Sequence, residues 1–188
     1  MPAIHRVAIV ALEGVVPFDL ATPCEVFGRV RLAGGRPGYE VRVCSARREI
    51  DAGAFVIKTR HDLSSLSRAD TVILPGIADA AQPIPLSLIK ALRAAAARGV
   101  RVASICSGAF VFAATGLLDG RRATTHWLAT AELARRYPEI EVDADVLYVD
   151  TGQFLTSAGA AAGLDLCLHI VRLDHGAAVA ADTARLSV

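Results

Sequence analysis

A mostly parallel α/β sandwich is predicted for this 188-residue chain, and three observations predict it. Apolar, β-branched runs recur at Arg6–Leu12, Thr71–Leu74 and Val100–Ile105, continuous rather than alternating, as strands buried on both faces are. Helix-length segments lie between them, with apolar residues at helical spacing. The second and third runs close on sharp turns, Pro75-Gly76 and Cys106-Ser107-Gly108. Strands alternating with helices of this length pack as one domain without a linker, a sheet between helix layers.

The elements follow in order. After the first strand a helix is expected to begin no later than Thr22, because Thr22, Pro23 and Glu25 fit N-cap, N1 and N3 of a capping box. Leu20, Cys24 and Phe27 would form its inward stripe at i, i+4, i+7. Gly34-Gly35-Arg36-Pro37-Gly38 is a loop, followed by short strands near Tyr39–Ser45 and Ala54–Thr59. Leu88, Ile89, Leu92 and Ala96 make a helix ending at Gly99, and the segment after Cys106 makes another through Thr115. Asp145–Val149 and Gln153–Thr156, joined by Asp150-Thr151-Gly152, read as a β-hairpin. An alanine-rich helix is expected from Gly159 to Leu173, an interruption at Asp174-His175-Gly176, and a last helical stretch to Val188. That stretch runs to the final residue without a cap, which points to a longer parent protein.

Composition bounds the function. With 20 Lys+Arg against 19 Asp+Glu and 53% hydrophobic residues, the chain is neither disordered nor basic enough to bind nucleic acid through a charged face. The longest uncharged run, Val102 to Leu118, contains Ser104, Ser107, Gly108 and Gly116, which argues against a membrane span. Val7 to Leu12 is too short for a signal-peptide core. Cys24, Cys44, Cys106 and Cys167 show neither CxxC nor zinc spacing, so reduced thiols and a cytoplasmic location are expected. No GxGxxG or GxxxxGK[ST] motif calls for a nucleotide, and no cofactor is expected. The stretches around Gly176 do not make a DNA-reading helix-turn-helix, since Ala177–Val188 offers only Arg185 to reach base edges.

In open α/β folds, ligands bind beyond the carboxyl ends of strands. Asp19, Gly76 and Cys106 each follow such an end. Ala103-Ser104-Ile105-Cys106-Ser107-Gly108-Ala109 has the small residues of a nucleophile elbow, and a helix N-terminus would favour the thiolate. The alternative is a small buried hydrophobe. Asp19 reads as an acid or hydrogen-bond partner of that thiol, or as a capping carboxylate; Glu13 competes for the acid role, while Glu25 is accounted for by the capping box. His126, in Ala123-Thr124-Thr125-His126-Trp127, is either a base for Cys106 or structural. His169 lies four residues after Asp165 with no third ligand, so no metal site is expected.

These residues resemble a known family. Phe18-Asp19-Leu20-Ala21-Thr22-Pro23-Cys24-Glu25-Val26-Phe27, the Leu74-Pro75-Gly76 turn and the Cys106 elbow resemble the ThiJ/PfpI superfamily, whose fold is class I glutamine-amidotransferase-like. Gly116-Leu117-Leu118-Asp119-Gly120-Arg121-Arg122-Ala123-Thr124-Thr125-His126-Trp127 resembles two of its branches, the N-terminal domains of AraC-type transcriptional regulators and the isocyanide hydratases. The tail from Asp145 through Leu173-Asp174-His175-Gly176 to Ala180 looks most like the regulators. The resemblance implies a flavodoxin-like three-layer sandwich, a homodimer, Cys106 as elbow cysteine, Asp19 as its acidic neighbour, and an oxyanion-type pocket from the Gly76 and Ser107 amides. Relatives acting as peptidases carry His directly after the elbow cysteine, and the hydratases usually Thr; Ser107 departs from both. The expected function is therefore effector sensing and dimerisation, with a small metabolite bound by Asp19, Gly76, Cys106, Ser107 and His126. DNA contact is expected only through a C-terminal helix-turn-helix domain that this chain lacks, with no membrane involvement. The alternatives are a cysteine-dependent hydratase or amidase using Cys106 and Asp19, and a redox sensor at Cys106.

Overall fold

A computed structural model describes residues 4–186. Six strands form the central sheet: β1 (His5–Val10), β2 (Tyr39–Cys44), β3 (Thr71–Leu74), β4 (Arg101–Ile105), β5 (Tyr148–Asp150) and β6 (Phe154–Ser157). Their spatial order is β5-β6-β4-β3-β1-β2. All neighbours are parallel except the edge pair β5–β6. The chain steps from β1 outward to β2, then returns to the other side of β1 for β3, β4 and β6. That reversal is the switch point at which flavodoxin-like sheets open a crevice.

Side chains of β1 alternate between two cores, which explains its unbroken apolar run. Val7, Ile9 and Ala11 meet α1 (Pro17–Arg29) and α5 (Ala160–His175) through Phe27, Leu166 and Ile170. Ala8, Val10 and Leu12 meet α2 (Leu86–Ala97), α3 (Gly108–Ala113) and α4 (Thr130–Arg136) through Leu88, Leu92, Phe112 and Leu133. A last helix, α6 (Ala177–Arg185), folds back on α5 after Gly176, whose φ of 88° ends the preceding helix. No helix among the described residues is long and apolar enough to cross a membrane.

Several expectations are corrected. Helix α1 begins at Pro17, so Thr22 is no cap: its Oγ1 donates to the Phe18 carbonyl one turn back at 2.8 Å. Glu25 pairs with Arg29 instead of closing a capping box. Pro17 takes the first helical position, and Pro23 sits inside the helix at the loss of one backbone bond. Within the expected inward stripe, Leu20 and Phe27 are buried and Cys24 is half-buried. The strand expected over Ala54–Thr59 is the shorter Val56–Lys58, paired with Glu49–Asp51 in a ribbon outside the main sheet. Asp174 and His175 belong to the last turn of α5, leaving Gly176 alone as the break. Ser187 and Val188, where the last stretch was expected to end, lie outside the described residues.

Candidate functional site

Three loops meet beyond the carboxyl ends of β1, β3 and β4, and backbone bonds stitch them together. Val16 N–H donates to the Gly76 carbonyl at 2.8 Å, and Ala78 N–H to that of Gly14 at 2.7 Å. This short zipper brings the start of α1 against the turn after β3. The third loop is tied in by Ser107, whose Oγ donates to the Ile77 carbonyl at 2.7 Å and accepts from the Ile77 N–H at 2.9 Å. The Ser107 hydroxyl thus ties the elbow to its neighbour by two bonds.

Cys106 has φ 57°, the one positive value on a non-glycine among the described residues. A left-handed conformation there costs energy and persists only where surroundings enforce it. They do: Cys106 N–H is shared by the carbonyls of Ser157 and Ala158, both at 3.1 Å, and its own carbonyl accepts from Thr125 Oγ1 at 2.7 Å. Gly108 is obligatory in this turn, since a Cβ would fall on the Leu74 carbonyl oxygen.

Asp19 comes from the first turn of α1 and is fully buried. It makes no helix-capping bond. Its Oδ2 accepts from Gly76 N–H at 3.2 Å, while Oδ1 has no partner. Burial pushes its carboxyl up from the usual range, opposed by the Gly76 amide, by Cys106 and by His126. Gly76 is required for this approach, because a Cβ would collide with Asp19 Oδ2. The Gly76 amide, expected to face a ligand, is turned to Asp19 here.

The half-buried Cys106 thiol is pushed up to about 11, first by burial and next by the Asp19 carboxylate, against the offsetting Ser107 amide and hydroxyl. The thiolate expected from a helix N-terminus is thus not favoured. Helix α3 is only six residues long, and desolvation outweighs it. His126 is half-buried, packs against Gly159 and accepts from the Leu128 N–H through Nδ1 at 3.3 Å. The neighbours of Asp19 and His126, Phe18 and Trp127, are exposed aromatics.

The remaining candidates lie elsewhere. Glu13 is exposed and pairs with Arg47. His169 pairs with Asp150 at 2.7 Å beneath Tyr148, on the edge strand. No metal-holding group of three ligands occurs among the described residues. Sequence reasoning missed Thr125 as the clamp on the Cys106 carbonyl and Ile77 as the partner of Ser107. The first stood inside a recognised motif; the second acts only through its backbone, which no side-chain pattern reveals. Together the site holds a thiol and a carboxyl that burial pushes up from their ordinary values, beside one unpartnered Asp19 oxygen.

Comparisons with known proteins place this architecture. The DJ-1/PfpI family matches residues 5–173. A protein of Streptomyces lividans, named for its position in the cpoL 5′ region, is 39% identical over 140 residues, covering 71% of this chain and 96% of that one. The HTH-type transcriptional regulator GbdR of Pseudomonas aeruginosa is 28% identical over 98% of this chain, which spans 50% of that regulator. Isonitrile hydratase of Pseudomonas putida is 39% identical over 95 residues, half of this chain and 39% of the enzyme. Among solved structures, a putative transcriptional regulator from Vibrio parahaemolyticus has a TM-score of 0.87 at 20% identity, with 98% of this chain and 99% of that one covered. An AraC family regulator from Pseudomonas putida has a TM-score of 0.84 at 18% identity, covering 98% of this chain and all of that one.

Proposed function

This chain belongs to the DJ-1/PfpI family, and we propose that it is the effector-sensing and dimerising domain of an AraC-type transcriptional regulator. Residues 1–188 form one domain, a small metabolite binds at Asp19, Gly76, Cys106, Ser107 and His126, and DNA is contacted through a separate helix-turn-helix domain. The likeness to GbdR over nearly the whole chain supports the regulator part.

One observation carries the effector part: Asp19 is fully buried with an unpartnered oxygen, beside a thiol that burial pushes up to about 11. Leaving a buried polar atom unpaired costs about 1–3 kcal/mol, which a ligand donor would recover. The test is a thermal-shift screen of small polar metabolites. A hit should stabilise the wild type, not Cys106→Ser or Asp19→Asn, and should be recovered unchanged. Sequencing the open reading frame past the Val188 codon tests the domain part: a helix-turn-helix pattern supports it and an immediate stop codon removes it.

A cysteine-dependent hydratase or amidase is the second reading, favoured by the enforced positive φ at Cys106 and the likeness to isonitrile hydratase. There the thiolate attacks an electrophilic carbon, Asp19 transfers the proton, and backbone amides hold developing charge. Consumption of nitriles, isocyanides or amides that is lost in Cys106→Ser would establish this reading in place of the first. A redox sensor ranks below both, because peroxide reacts with thiolates.

A further inference from the structure

Strand β4 and helix α5 run antiparallel and are joined at both ends. At the Cys106 end, Cys106 N–H bonds the carbonyls of Ser157 and Ala158 just before α5, and Gly163 of α5 lies so close to Ile105 that a Cβ would be 2.7 Å from its Cγ2. At the opposite end, Arg101 grips Asp174 of the last α5 turn through two bonds of 2.9 and 2.7 Å. Tyr39 OH donates to the same carboxylate at 2.9 Å, and His5 lies 3.9 Å away. Gly176 follows two residues later, and beyond it α6 is held to α1 by the bond from Arg29 to the Leu186 carbonyl at 2.8 Å.

We propose that the Arg101–Asp174–Tyr39 clamp couples occupancy of the Cys106 pocket to the seating of α6. A group placed at Cys106 presses on β4 and on the start of α5 at once. Their relative shift is read at the far end by three hydrogen bonds with strict geometry, two residues before the break at Gly176. The two states required of a coupling element are α6 seated and α6 released. This device takes its purpose from the effector reading above, but it is tested with a covalent probe in place of an effector, so the two can fail separately.

The experiment alkylates Cys106 with iodoacetamide in the full chain carrying Cys24→Ser, the thiolate displacing iodide, and follows hydrogen exchange by mass spectrometry. Exchange over residues 177–185 should change by about fivefold, the low end of allosteric coupling, while α2 on the other face stays constant. The change should vanish in Asp174→Asn and shrink in Tyr39→Phe, which retains the ring packing and carries the test if Asp174→Asn does not fold. An α6 indifferent to alkylation in the folded parent protein overturns the proposal. So does a response of equal size in the clamp variants.

Discussion

Asp19 and Asp174 lie at opposite ends of the central sheet, both largely removed from water, and the fold treats them in opposite ways. Burial pushes Asp174 up, but the two bonds from Arg101, its charge, and Tyr39 prevail and hold the carboxyl below the usual range. Burial pushes Asp19 up as well, and there the Gly76 amide, Cys106 and His126 do not prevail. One oxygen of Asp19 is left unpaired. Two carboxylates of similar burial thus separate a group that stabilises the fold from a group the fold tolerates at a cost. The proposed site rests on the second kind.

The contrast can be broken from either end. Arg101→Met strands Asp174 without its cation and should lower unfolding stability by about 3–5 kcal/mol, as breaking one side of a buried pair does, read from denaturant midpoints; a loss under about 1 kcal/mol would remove the clamp. Gly76→Ala forces a Cβ into Asp19 Oδ2 and should cost about 1–3 kcal/mol through overpacking, by the same measurement. Asp19→Asn should act in the other direction, stabilising the protein at pH 7 by about 1–2 kcal/mol because the ionised form is poorly satisfied. Since the folded carboxyl holds its proton above its unfolded value, its contribution is fully present below about pH 3.9 and is lost as pH rises through the folded value. The gain in Asp19→Asn should therefore disappear toward pH 4, whereas Asp174, shifted down, should lose its contribution as pH falls below that range. Ser107→Ala removes both bonds to Ile77 and should cost about 1 kcal/mol, the smallest of these effects.

Much of this was legible in the chain. The carboxyl-end cluster follows from strands that stop at Gly76 and Cys106, and the elbow from the small residues around it. The cap of α1 was not: Thr22-Pro23-Glu25 satisfies the same local rule as Pro17, and the helix, within the bound set by Thr22, already begins at Pro17. The Asp174–Arg101 pair is separated by 73 residues and has no local signature. The charge state of Cys106 escaped for a related reason: the helix terminus was visible locally, while burial and the neighbouring Asp19 arise only in the folded chain.

The alkylation rate of Cys106 across pH tests the central claim, that this elbow is shaped like a nucleophile's but not charged like one. With the thiol pushed up to about 11, the rate should rise about tenfold per pH unit from pH 6 through pH 9 without levelling, because only the thiolate reacts. A plateau below pH 7 would show a primed thiolate, and would contradict the account of Cys106 as a thiol that burial and Asp19 push up.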